Sequence, residues 1–309
     1  MRMTIFPCGN VSKGLSRSMA TNISTYIQTL AQSYPDLTIQ TARLYNIDGQ
    51  FNDLLIVNEA LIFRFPRYAE GAKTLQNEFK FLNRIQGKLP QPIPNPIFTH
   101  FEDDSPAHTF IGYPILPGEP LWRETLQEME DGPIQQLAEQ LADFLLALHN
   151  IPIEELGWDL PTYDHLDKWI DLYAEFRQHV YPLMRLDACE AMSRHFETYL
   201  NTPSLHSFPP ALRHGDFGAG NLLIDPENKT LCGVIDFGFA GIGDPAMDIA
   251  AISTLEPRLF SHFQKVYPDI APILQRAAFY KGTYALQEAL HGLKNDDPEA
   301  FKSGIAEYQ

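Results

Sequence analysis

The chain is poor in cysteine, with only Cys8, Cys189 and Cys232 among 309 residues. That number and spacing support neither a disulfide framework nor a cysteine-rich metal site. Cys232, inside an apolar run, reads as a small buried side chain. Basic residues are also scarce, 23 Lys and Arg against 39 Asp and Glu, for a formal charge of −16. Such a chain repels phosphate backbones and has no compact basic patch to offset the field, so nucleic-acid binding is not expected. A cationic partner suits it better. No stretch approaches the ~18 consecutive apolar residues of a membrane span. Residues 1–20 lack the apolar centre of a secretory signal. The expectation is a cytoplasmic protein with no membrane partner. Hydrophobic residues at 44% and charged residues at 20% are globular values, and the length allows one two-lobed unit.

What the chain does have is concentrated between Leu212 and Ala251, LRHGDFGAGNLLIDPENKTLCGVIDFGFAGIGDPAMDIA. Leu222–Ile224 is a strand-sized apolar run, Pro226–Thr230 a turn, and Leu231–Ile235 a second run that leads into Asp236. A hairpin of these strands brings the residues before the first beside those after the second. Asp216 and Asn221 come before it and Asp236 after. A carboxylate and a carboxamide so placed are hard oxygen donors suited to Mg²⁺, Asp236 as the main ligand and Asn221 as the second. Asp216 is placed to orient a hydroxyl and accept its proton as a phosphoryl group transfers. His214 is expected to hold the loop through hydrogen bonds. Asp and Asn also fill ordinary turns. The ordered set HGD-x4-N, ID-x-G and GDP-x2-D separates this stretch from a turn-rich loop.

These segments resemble the phosphotransferase signature of the aminoglycoside phosphotransferase and choline kinase superfamily. The matching pieces are HGDFGAGN at 214–221, VIDFGFAGIGDPAMD at 234–248, and GQFNDLLIV with FRFPR upstream. The resemblance implies an α+β, bilobal, protein-kinase-like fold with a small antiparallel-sheet N-lobe and a larger, mainly helical C-lobe. It divides the chain into an N-terminal arm over residues 1–20, a nucleotide-binding N-lobe and connector over 21–117, and a catalytic and acceptor-binding C-lobe over 118–309. By it, Asp216 resembles the catalytic base, Asn221 and Asp236 the metal ligands, and Asp244 and Asp248 loop-bracing residues. The implied reaction is Mg²⁺-dependent transfer of the γ-phosphoryl group of ATP or GTP to a hydroxyl of a small, amine-bearing molecule such as an aminoglycoside. A homoserine, choline or sugar kinase is one alternative, and a nucleotide-binding module without catalysis is another. The HRD and APE segments of peptide kinases are absent from the sequence. Monomer and homodimer remain open.

Upstream, Ile23, Tyr26, Ile27 and Leu30 predict a helix over 22–33, stopped by Pro35. Strands are expected over 38–45, 53–58 and 60–65. The turn between the first two offers Gly49 and Asn52, and backbone N–H groups, to phosphate oxygens. In the third strand Arg64 points away from Phe63 and Phe65. Under the resemblance it stands where lysine is the better-known residue, with Arg67 as the competing assignment. Glu78, beside the helical stripe Leu75, Phe79, Leu82 and Ile85, is the expected partner of Arg64. The proline-rich run 88–96 reads as a stiff connection, followed by strands over 96–101 and 108–115. The resemblance makes Gly112–Gly118 the interlobe connector, with the Tyr113 and Ile115 backbone against the purine. Phe65, Phe98, Tyr113 and Ile235 are the candidate pocket walls.

Downstream, helices are expected over 133–149, 165–181, 186–200 and 270–293, and another from Pro245. The insertion that runs from residue 150 to the catalytic loop is where the resemblance puts the acceptor. Glu154, Glu155, Asp159, Asp164, Asp167 and Asp171 would receive ammonium groups, and Trp158 or Tyr163 would cover an apolar or cationic face. A solvated acidic helix with a core tryptophan is the plainer alternative.

Overall fold

The computed structural model describes residues 23–45, 52–101, 105–156 and 160–309. The expected N-terminal arm, Gly49, Trp158 and Asp159 lie outside the described residues. The chain forms two units: one runs to Pro117 and includes Gly233–Gly238, and the other comprises Gly118–Cys232 with Phe239–Gln309.

The sheet unit is built in the order α1 (Ile23–Ser33), β1 (Ala42–Leu44), β2 (Asn52–Val57), β3 (Leu61–Pro66), α2 (Ala69–Ile85), β4 (Phe98–His100) and β5 (Phe110–Pro114). The sheet order is β1-β2-β3-β5-β4, every neighbour antiparallel. Alternation along β3 decides which side chain faces what. Phe63 and Phe65 pack with Tyr26 and Leu30 of α1, and Phe98 joins that cluster. Ile62 and Tyr113 pack on the other face, against Leu75 of α2. The two candidate pocket walls Phe65 and Phe98 are therefore divided from Tyr113 by the sheet, which corrects the single wall expected. Helix α2 buries Ala72, Leu75, Leu82 and Ile85 at helical spacing. It ends before Gly87, whose φ of +72° suits glycine. The proline-rich run that follows is pinned by Gln86 Nε2 donating to the Pro94 carbonyl at 2.7 Å.

Beyond Pro117 the chain continues with β6 (Glu119–Pro120), α3 (Arg123–Glu128), α4 (Asp131–His149), α5 (Leu166–Glu175), α6 (Leu186–Leu200), β7 (Ala211–Arg213), β8 (Leu222–Ile224) and β9 (Leu231–Val234), whose last two residues are counted with the sheet unit. Then come β10 (Gly241–Gly243), α7 (Ala246–Ile252), α8 (Pro257–Val266), α9 (Ala271–Lys294) and α10 (Pro298–Ile305). Helix α4 buries Ile134, Leu137, Leu141, Leu145 and Leu148. Trp169 of α5 stacks on Tyr280 of α9 at 5.0 Å, and Tyr199 of α6 stacks on Phe279 at 3.6 Å, so aromatic contacts fasten the insertion helices to α9. The helix expected over 165–181 breaks after Glu175 into a π turn, Phe176–Val180, and a 3₁₀ turn, Tyr181–Leu183. Pro182 has no N–H to continue it. Helices α3, α8 and α10 were not expected from periodicity. Two of them carry start signals: the Glu256 carboxylate caps Leu259 N ahead of Pro257, and Asp297 caps Glu299 N and Ala300 N ahead of Pro298. Among the described residues, no helix is long and apolar enough to cross a membrane.

Candidate active site

One constellation belongs to the sheet unit. Arg64 is buried on β3 and splits its guanidinium between two carboxylates. Its Nη1 donates to Glu78 Oε1 at 2.5 Å and its Nη2 to Asp236 Oδ1 at 3.0 Å. The Phe237 amide donates to the same Glu78 oxygen at 3.2 Å, so α2 grips both the arginine and the turn after β9. Among the described residues, Glu78 Oε2 is buried without a hydrogen-bond partner. Burial pushes the Glu78 carboxyl up to about 7, against the pull of Arg64. Burial likewise pushes the Tyr113 phenol, beside Arg64, up to about 12. Asp236 sits at φ +63°, a left-handed position Asp tolerates better than most residues, and its side chain is 45% exposed. Arg67, the competitor to Arg64, is instead paired with Asp53 at 2.8 Å. Asn52 begins β2 opposite Pro66. Tyr113 lies in the sheet opposite Ile62. The amide of Ile115 is consumed by the Ala60 carbonyl at 2.9 Å and has no proton left to read a purine edge.

A second constellation belongs to the helical unit and is centred on the turn after β7. Strand β7 pairs antiparallel with β10, Leu212 opposite Ile242, and both strands are too short for periodicity to mark them. Asp216 follows, nearly buried at 5% exposure. Its amide donates to His214 Nδ1 at 3.2 Å, and Asn221 Nδ2 donates to its Oδ2 at 3.0 Å and its carbonyl at 2.8 Å. The Asn221 carboxamide thus turns its nitrogen toward Asp216, which leaves its other end as an oxygen donor. Asp248, at the start of α7 and fully buried, accepts the His214 and Gly215 amides at 2.9 and 2.8 Å. Burial works against its charge, but the His149 ring at 3.1 Å and the neighbouring positive groups outweigh it and hold the carboxyl below its usual range. His149 reaches on to the Tyr267 hydroxyl at 2.8 Å, a bridge the sequence reading did not find. Asp244 accepts Arg276 Nε at 2.6 Å, Arg276 Nη2 at 2.9 Å and Tyr280 OH at 2.8 Å. Nothing in the helix pattern of α9 singles out Arg276 except that a charged residue falls on its buried face.

The acceptor candidates separate. Glu155 is exposed on a 3₁₀ turn, Ile153–Leu156, and Asp167 and Asp171 are exposed on α5. Asp164, expected to meet an acceptor, has its side chain buried and paired with Arg213 at 2.7 Å. Its charge is already used inside the protein, so it is not a free carboxylate for an ammonium group. Among the described residues no three His, Cys, Asp or Glu side chains gather as a metal cage. Mg²⁺ does not need one: it keeps waters and binds through one or two side-chain oxygens plus phosphates. Asp236 in the sheet unit and Asn221 in the helical unit each carry a side-chain oxygen of the kind Mg²⁺ accepts.

Viomycin phosphotransferase of Streptomyces vinaceus is 25% identical over 298 residues, covering 93% of this chain and 99% of the relative. The GDP and kanamycin complex of APH(2")-IIia superposes with a TM-score of 0.83 at 25% identity, covering 91% of this chain and 96% of that one. Macrolide 2'-phosphotransferase type I, at 19% identity and a TM-score of 0.73 over 95% of this chain and 99% of that one, shares the fold. The expected kinase-like pairing of an antiparallel-sheet unit with a helical unit is the architecture present. Residues 48–283 match the family described as phosphotransferase enzyme family, and over that span, well beyond half its length, the chain belongs to it.

Proposed function

We propose that the protein transfers the γ-phosphoryl group of ATP or GTP to a hydroxyl of a small, amine-bearing antibiotic. The observation that carries this reading is the way Asp216 is held: His214 fixes its amide, Asn221 its carboxylate, and Asp248 the two amides before it. A carboxylate so restrained suits a base that must meet one hydroxyl in one direction. In the reaction Asp216 orients the acceptor hydroxyl and takes its proton late, as the bond to phosphorus forms. Arg64 offers fixed positive charge to the phosphates, and Glu78 holds it in place. Asn221 and Asp236 would each give an oxygen to Mg²⁺, which when bound supplies charge neutralisation on the phosphates. The relatives named for viomycin and complexed with kanamycin favour a polycationic antibiotic as acceptor, and the acidic charge of this chain agrees with it. A reaction that draws on ATP or GTP supports a cytoplasmic location.

The test is a screen of both nucleotides against antibiotics, amino alcohols and sugars, followed by mass for the gain of one phosphoryl group. Product with an aminoglycoside or a viomycin-type peptide supports the proposal. Product confined to homoserine, choline or a sugar replaces the acceptor. Nucleotide binding with no product across the whole panel overturns it.

A further inference from the structure

Asp164 and Arg213 touch none of the groups assigned to the reacting atoms, yet their side chains are 4% and 3% exposed. Arg213 closes β7, three residues before Asp216. Its Nε and Nη2 donate to the two Asp164 oxygens at 2.7 and 3.3 Å, and its Nη1 reaches the Phe239 carbonyl at 3.4 Å. Asp164 Oδ2 also accepts the Asp244 amide at 3.0 Å. Tyr163 lies over the guanidinium at 4.5 Å. Backbone bonds from Tyr163 N to Ile242 O at 2.8 Å and from Ile242 N to Pro161 O at 2.9 Å stitch residues 161–164 to β10. One buried pair therefore ties the part of the insertion just ahead of α5, the strand before Asp216 and the strand before Asp244.

The local sequence makes room for it. A Cβ on Gly215, at φ +82°, would collide with Arg213 Nη1 and the Phe239 carbonyl. A Cβ on Gly243 would collide with Asp164 Oδ2 and Arg213 Nε. A buried ion pair adds little net stability, because desolvation offsets its attraction. Stability alone thus gives no reason to keep two charges here; geometry does. We propose that Asp164 and Arg213 are positioning residues, which set the direction in which the HGD turn leaves β7, aim Asp216, and carry that alignment to the acceptor-side insertion. The proposal rests on the phosphotransfer reading of Asp216.

Three substitutions test it. Asp164→Asn keeps the left-handed φ of +62° accessible and leaves an oxygen for the Asp244 amide, but removes the charge. Arg213→Lys keeps the charge and loses the fork. Arg213→Ala opens a space the size of a guanidinium ion. With the acceptor found in the screen, each is expected to lower kcat by about 10–10²-fold with the nucleotide KM unchanged. Millimolar guanidinium should restore activity to Arg213→Ala alone. Amide exchange at Gly215 and Asp244 should quicken in these variants while the amides of α4 keep their protection. Arg194→Gln, an exposed arginine on α6, serves as the charge-matched control at parental rate. Variants that melt lower but retain the parental kcat per folded molecule, without change in exchange at Gly215 and Asp244, overturn the proposal alone. A parent that phosphorylates nothing in the panel overturns the reading of Asp216 and the proposal with it.

Discussion

Arg64 holds Glu78 with one nitrogen and Asp236 with another, a spread that a lysine would have to cover from a single ammonium nitrogen. Arg64→Lys is therefore expected to lose one of the two contacts, and Arg64→Met to lower kcat by about 10²–10³-fold in steady-state assays. The second change also leaves a buried carboxyl without its cation, a loss of about 3–5 kcal/mol in urea unfolding. Its pH dependence has a fixed sign. The folded-state value of Glu78, raised to about 7, lies above the ~4.3 of an unfolded chain, so its ionisation opposes folding as pH rises through that window. Without Arg64 the penalty grows, and the gap between Arg64→Met and the parent should widen from pH 5 to pH 8. For Asp216, exchanging the carboxylate for an amide keeps its shape and removes the proposed base. Asp216→Asn should lower kcat by about 10²–10⁴-fold with nucleotide affinity intact, and equal rates at saturating acceptor would refute the assignment. The Arg64–Glu78 contact was legible through the family resemblance, and the clustering of Asp216 with His214 and Asn221 through the short HGD-x4-N motif. Arg213, Arg276 and His149 were not, because each works through a partner 30 or more positions away, at separations of 49, 32 and 99.

Helix α7 contributes through its first turn, where Asp248 receives two amides from the loop after β7 and a ring nitrogen from the end of α4. Its carboxyl is held below the usual range, so its contribution is complete above the ~3.9 of an unfolded chain and is lost as pH falls through the folded value. Asp248→Asn should lower the neutral-pH melting temperature and flatten the acid limb of the stability curve below about pH 4. A parental acid limb in the variant would show that other carboxylates control it. The elements that sequence periodicity marked well were the long ones, α2, α4 and α9, whose apolar stripes repeat over several turns. Strands β7 and β10 escaped because three residues give no period, and their partner is supplied by the fold. Helices α8 and α10 escaped for a different reason: their capping residues were visible, but their stripes are short.

The charge of −16 acts over the whole molecule. Raising ionic strength should increase KM for a polycationic acceptor and leave KM for a neutral one nearly constant, since screening weakens only the first attraction. Equal salt responses would remove charge as a basis of acceptor choice. Chelation of divalent ions should abolish transfer, and added Mg²⁺ should restore it, followed by product mass. The chain also visits its sheet unit twice, once up to Pro117 and again for Gly233–Gly238. During synthesis, then, Arg64 and Glu78 wait for more than half of the polypeptide to be made before Asp236 and the Phe237 amide arrive. A fragment ending at Pro117 would carry β1–β5 yet lack the turn that completes the Arg64–Glu78–Asp236 corner, so under the proposed function a split version of this enzyme should regain nucleotide binding only when the later fragment is supplied.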